Sequence, residues 1–169
     1  MNEVIKNRYE FVIYFDVENG NPNGDPDAGN LPRIDAETGL GIVTDVCLKR
    51  KIRDYVETVK DGMEDQDHYR IYIKRGVPLN NSDNEAFESV GITSAATAAT
   101  KDLKEAIKKA GSDRVDKLLC EYMCSHFYDI RTFGAVMTTM VKGALNCGQV
   151  WSMSSPVTVF TTFGPVRNM

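Results

Sequence analysis

Four carboxylates, Asp16, Glu18, Asp25 and Asp27, fall within the stretch FDVENGNPNGDPDAGN (Phe15 to Asn30), and no basic residue accompanies them. Oxygen ligands at alternating positions are what a hard cation needs, so the stretch is a candidate calcium or magnesium loop. The calcium registers fail. Starting at Asn21 puts Pro26 at the sixth position and Pro32 at the twelfth, where glycine and a bidentate glutamate belong. Starting at Asp25 puts Ala36 at the twelfth. A magnesium site needs only one or two carboxylates, which leaves a metal-dependent ribonuclease using Asp16, Asp25 or Asp27 as an alternative function. The same residue types also supply tight-turn geometry. On balance the stretch reads as a turn-rich connector, with no metal ligand, cofactor or catalytic residue assigned.

A second constellation has the opposite charge. In CLKRKIRDY, four of the six residues from Leu48 to Arg53 are basic. On a helix Lys49 and Arg53 share one side, Arg50 lies about 60° beyond Arg53 beside the apolar stripe, and Lys51 projects from the other side. Such a ridge can follow a phosphate backbone, neutralising charge without reading sequence. The plainer alternative is a solvated face balanced by Asp54 and Glu57. Residues 15–45 hold seven acids and one base, Arg33, so a net charge of −4 is compatible with a local basic site. Other chemistry is sparse. GLGIVT (Gly39 to Thr44) lacks the third glycine of a dinucleotide-binding turn. His68 and His126 sit in no nucleophile or base motif.

The elements that position these residues follow from periodicity. RYEFVIYFDV (8–17) alternates with period two and predicts a strand, as does YRIYIKR (69–75). Between them Thr44 predicts an N-cap for a helix whose core stripe is Leu48, Ile52, Tyr55, Val56 and Val59, ending near Gly62. Residues 76–93 read as a polar loop, and 94–110 as a helix closed by Gly111. Ser112 predicts the cap of a further helix to about Ser125, with Val115, Leu118, Leu119, Tyr122 and Met123 on one side. DIRTFGAVM predicts a turn into a strand, and PVTVFTTF one more. This order describes an α+β domain.

At 169 residues the chain suits a single domain spanning 1–169. No apolar run reaches the roughly 20 residues of a membrane span, and the N-terminus lacks the apolar core of a secretory signal, so a cytoplasmic protein without a membrane partner is expected. The four cysteines, Cys47, Cys120, Cys124 and Cys147, fit that compartment as reduced thiols. Cys120 and Cys124, one helical turn apart among apolar neighbours, read as buried structural thiols.

Together, FDVENGNPNGDPDAGNLPRID, GLGIVTDVCLKRKIRDY and DIRTFGAVM resemble a known family, the CRISPR-associated backbone subunit of the type I-C Cascade complex (the Csd2 family). The resemblance runs from about Tyr9 to Val150. It implies a modified RNA-recognition-motif (ferredoxin-like) fold with inserted loops. It also implies a non-catalytic antiviral protein, several copies of which oligomerise along a CRISPR RNA and present the guide for pairing with target DNA. Its partners would be that RNA, target DNA through the guide, other copies of itself and other Cascade subunits. The family's RNA contacts carry over to Thr44, Lys49, Arg50 and Arg53 on the first helix, and to Arg131 in DIRTFG. Arg33 joins them as the lone base of the acidic stretch. Residues 151–169 depart from the family pattern, so the C-terminal part of the family fold is expected to be missing. A truncated protein-interaction fragment without RNA binding is the remaining alternative.

Overall fold

In the computed structural model, which describes residues 7, 12–92, 100–136 and 144–145, asparagine, proline and glycine organise the acidic stretch into a hairpin. Strand β1 (Gly24–Asp25) pairs antiparallel with β2 (Leu31–Pro32). Between them Pro26–Ala28 forms a 3-10 turn, with proline at its start and the Asp25 carboxylate accepting from the Asp27 N–H at 3.1 Å. Gly29 and Asn30 reverse the chain at φ +63°, the left-handed region that glycine and asparagine enter at least cost. The Asn21 amide ties the turn by donating to the Asn30 carbonyl at 2.7 Å. Gly24 leaves room for the Asn30 side chain: a Cβ there would lie 2.0 Å from Asn30 Oδ1, so that side chain would have to move. A second reversal follows, bridged between Ile34 and Gly41. There Asp35 accepts from the Thr38 hydroxyl and backbone N–H, and the hydroxyl bond above all holds its carboxyl below the ordinary aspartate value.

Helix α1 (Asp45–Val59) begins as the sequence predicts: the Cys47 N–H donates to Thr44 Oγ1 at 3.2 Å, an N-cap bond. Val56 is buried, and Leu48, Ile52 and Val59 are half-buried. Tyr55 differs from expectation, standing 68% exposed.

The chain divides into two compact units, the described residues up to Lys51 and those from Ile52 onward. In the second unit α2 (Leu79–Ser89), α3 (Thr100–Ala110), α4 (Ser112–His126) and α5 (Tyr128–Phe133) surround one core. Its members include Tyr72, Ala86, Phe87, Ile107, Val115, Leu119, Met123, Phe127 and Ile130. Gly111, at φ +90°, supplies the reversal between α3 and α4. Ser112 is the first residue of α4 rather than its cap, and Gly111 holds the cap position. After α5, β3 (Ala135–Val136) pairs antiparallel with β4 (Ala144–Leu145).

Three further expectations meet a different structure. Over 12–17 no strand ladder forms among the described residues, and Val12 (75%) and Tyr14 (90%) are exposed, so alternation exists without a partner to pair with. Residues 70–75 form no strand beyond a single parallel bridge between Arg70 and Phe127. The Asp129 carboxylate takes the backbone N–H groups of Tyr72 (2.8 Å) and Ile73 (3.1 Å), which a neighbouring strand would otherwise satisfy. The polar segment 76–93 contains α2, whose inner face is Asp83, Ala86 and Phe87. A buried aspartate at a core position hid the helical period. Its Oδ1 accepts from the Tyr72 hydroxyl at 2.9 Å. Burial foremost, with that bond, raises the Tyr72 phenol well above its ordinary value.

Cys47 and Cys120 are free thiols, and burial pushes Cys120 upward, keeping it protonated and unreactive. Cys124 departs from the expected reduced state and is disulfide-bonded. The expected strand near the C-terminus, together with residues 8–11 and 94–99 of the expected elements, lies outside the described residues. Among the described residues no helix is long and apolar enough to cross a membrane.

Candidate functional site

The acidic hairpin and the start of α1 are joined through Asn23. Asn23 Oδ1 accepts from the Thr44 N–H at 2.9 Å and from the Thr44 hydroxyl at 3.0 Å. The Thr44 hydroxyl thus donates to Asn23 while accepting from Cys47, so its one proton is committed. Alongside, the Cys47 thiol donates to the Pro22 carbonyl at 3.2 Å. Sequence reasoning missed Asn23, and no local signal marks it: its partner is 21 residues away.

Arg33 turns back onto its own hairpin. Its Nη2 lies 3.6 Å from Asp25 Oδ1, while its Nε is buried without a hydrogen-bond partner. Lys49 pairs with Asp45 at 3.1 Å, and its side chain is 24% exposed. This i,i+4 pair has the acid N-terminal, the favourable order on a helix. Arg50 is half-buried and engaged with neighbours, and Lys51 is exposed. Of the acids once weighed as metal ligands, Asp16, Glu18 and Asp27 are exposed, and Asp25 is occupied as a cap and by Arg33. Among the described residues no three of His, Cys, Asp and Glu are grouped to hold a metal ion.

In the second unit, the two remaining predicted residues serve the fold. Arg53 Nε donates to Asp129 Oδ2 at 2.9 Å, with side chains 12% and 1% exposed, and its guanidinium lies 5.0 Å from the centre of the Phe133 ring. Arg131 closes the C-terminal end of α4. Its Nη1 donates to the carbonyls of Cys124 (2.7 Å) and Ser125 (3.2 Å), and its Nη2 to that of His68 (2.8 Å). Those last-turn carbonyls have no intrahelical donor, and a cation is favoured there.

The energetic difference between these two groups decides what each can do. A partly exposed i,i+4 pair such as Lys49–Asp45 is worth about 0–1 kcal/mol, so a phosphate can compete with the carboxylate at modest cost. Breaking a buried pair such as Arg53–Asp129 costs about 3–5 kcal/mol, because a carboxylate is left uncompensated. At the beginning of α1 Lys49 and Arg50 are half-buried and Lys51 is exposed, whereas Arg53 and Arg131 are held by buried or helix-end partners.

A protein whose long turn motif leads directly into a helix start bearing Lys49, Arg50 and Lys51 falls within a defined class. Residues 7–166 match the family described as CRISPR-associated protein Cas7, and the chain belongs to that family. A protein of Haloferax volcanii, itself described as CRISPR-associated protein Cas7, is 42% identical over 69 residues. That alignment covers 41% of this chain and 18% of the relative, so the matched part spans less than a fifth of that relative's length.

Proposed function

We propose that this chain is the N-terminal portion of a type I-C Cascade backbone subunit that binds CRISPR RNA without catalysing a reaction. Membership of the Cas7 family over residues 7–166 is the observation that carries this reading. In the complete subunit the fold would be of the modified RNA-recognition (ferredoxin-like) type. Copies would line up along the guide in the cytoplasm, present it to target DNA and contact the other Cascade subunits.

Contact with the guide is assigned to phosphates at the first turns of α1, through Lys49 and Arg50 with Thr44 beside them. Arg53 and Arg131 are engaged within the second unit, with Asp129 and with the carbonyls at the end of α4. Binding of this kind is insensitive to base sequence and falls steeply with salt.

The test is fluorescence anisotropy with labelled single-stranded RNAs of unrelated sequence over a salt series, with particle size measured in parallel. Lys49→Ala combined with Arg50→Ala should weaken all RNAs alike and reduce the salt slope by roughly 1.4, the value for two lost contacts to a single strand. A double variant that binds as tightly as wild type overturns the assignment. RNA cleavage that requires Mg²⁺ and is lost in Asp25→Ala would replace it with the nuclease reading.

A further inference from the structure

The acidic stretch carries two Asn-Gly pairs, Asn19–Gly20 and Asn23–Gly24, and the sequence has no others. In such a pair the asparagine side chain is open to attack by the next backbone nitrogen, because glycine has no Cβ to shield it. The structure treats the two pairs in opposite ways.

Asn23 is held through both its side chain and its backbone. Its Oδ1 accepts from the N–H and the hydroxyl of Thr44, at 2.9 and 3.0 Å, and its Nδ2 donates to the Gly24 carbonyl at 3.1 Å. Its own carbonyl accepts from the Arg33 N–H at 3.0 Å, and Gly24 continues into the β1–β2 ladder. Both residues are half-buried. Bringing the Gly24 nitrogen onto Asn23 Cγ turns the carboxamide and the peptide plane together, so these bonds must break first.

Asn19 has no such restraint. It and Gly20 are exposed in a bend, with Asn19 at φ +52°. Among the described residues no hydrogen bond holds the Asn19 carboxamide or the Gly20 N–H. The carboxamide and the peptide plane that must meet are both free to turn.

We propose that Asn19 is a site of spontaneous deamidation and that the fold keeps Asn23 from the same reaction. The Gly20 nitrogen gives its proton to base and bonds to Asn19 Cγ. The Cγ–Nδ2 bond then breaks, and the amide nitrogen leaves as ammonia. One water opens the resulting cyclic imide at either carbonyl. Opening at Cγ leaves aspartate, whereas opening at the main-chain carbonyl leaves isoaspartate, with the chain running through the side chain. Water is the only co-reactant, and nothing is oxidised or reduced. A neutral amide becomes a carboxylate, so the seven acids of residues 15–45 gain an eighth. The inference stands whether or not the chain binds RNA.

Peptide mapping by mass spectrometry of the full chain, aged at neutral and at mildly alkaline pH, tests it. Asn19 should convert with first-order kinetics, faster at the higher pH, and isoaspartate should exceed aspartate. Asn23 reacts only through opening of the first unit, so in the folded chain it should convert at least about tenfold more slowly. In concentrated urea the two rates should converge, because the restraint on Asn23 is gone. Gly20→Ala should slow Asn19 on the order of tenfold, its Cβ shielding the nitrogen, and leave Asn23 unaffected. Gly20 lies outside the left-handed region, and the added Cβ would meet only Val17 Cγ1, at 2.9 Å, on an exposed side chain that can move. Equal rates in the folded chain, faster conversion at Asn23, rates that stay apart in urea, or a Gly20→Ala chain that ages like wild type would each overturn the proposal.

Discussion

Arg53 and Asp129, distant in sequence, form a buried ion pair in which one carboxylate also takes the backbone N–H groups of Tyr72 and Ile73. The aspartate therefore does the work of a strand edge and of a counter-ion at once.

Asp129→Ala should lower the unfolding free energy by about 3–5 kcal/mol, as expected when one partner of a buried pair is left alone. Arg53→Ala should fall in the same range. The double variant should cost less than the sum of the two, because the second substitution removes the stranded charge. Urea denaturation of the three variants measures this, and strict additivity would contradict the coupling.

The same pair yields a contrast in binding. Arg53→Ala should leave the salt slope of RNA affinity unchanged wherever the protein is folded, whereas Lys49→Ala should reduce it by roughly 0.7, one phosphate contact to a single strand. Anisotropy at several salt concentrations distinguishes the two.

In the hairpin, Gly24→Ala should destabilise the first unit, since the added Cβ would strike the Asn30 side chain. Asn30→Gly removes the obstacle and also suits the left-handed backbone at that position. Gly24→Ala with Asn30→Gly should therefore recover most of what Gly24→Ala loses. Amide exchange at Asn30 and Arg33, whose N–H groups are bonded within the hairpin, would report it.

Tyr72→Phe should cost about 1–3 kcal/mol, because buried Asp83 loses the phenol as a donor while the ring volume is kept. Thermal denaturation compares the variant with Phe87→Ala, where a core cavity predicts about 3–5 kcal/mol.

Acid sensitivity has a defined sign at Glu57. Burial opposes its charge, but hydrogen bonds from Lys74 (2.7 Å) and Lys60 (3.0 Å) outweigh it and lower the folded value below the ordinary 4.5. The stabilisation is complete above 4.5 and is lost as pH falls through the lowered folded value. Being partly exposed, the group contributes about 0.5 kcal/mol or less. Glu57→Gln should flatten that part of the stability–pH curve, and a curve identical to wild type would exclude the linkage.

What the sequence made legible was local. Thr44 signalled its cap, and the Asn-Gly-Pro-Asp composition signalled turns, because the groups involved are neighbours in the chain. What stayed hidden depended on distant partners. Asp129 converted an alternating segment into a non-strand, Asp83 interrupted the apolar face of α2, and Asn23 reached across to Thr44. The basic ridge was visible as charge, but only the partners separated Lys49, paired with Asp45 on its own helix, from Arg53, paired with buried Asp129.

Arg131 carries a consequence for how the molecule opens. One guanidinium holds three carbonyls from two chain segments, beside the backbone bridge that joins Arg70 to Phe127. These bonds share a single anchor, so they break together rather than by gradual fraying. The amides of Arg70 and Tyr128 should accordingly exchange at a common rate, and a protease should meet this junction as one latch, either shut or fully released.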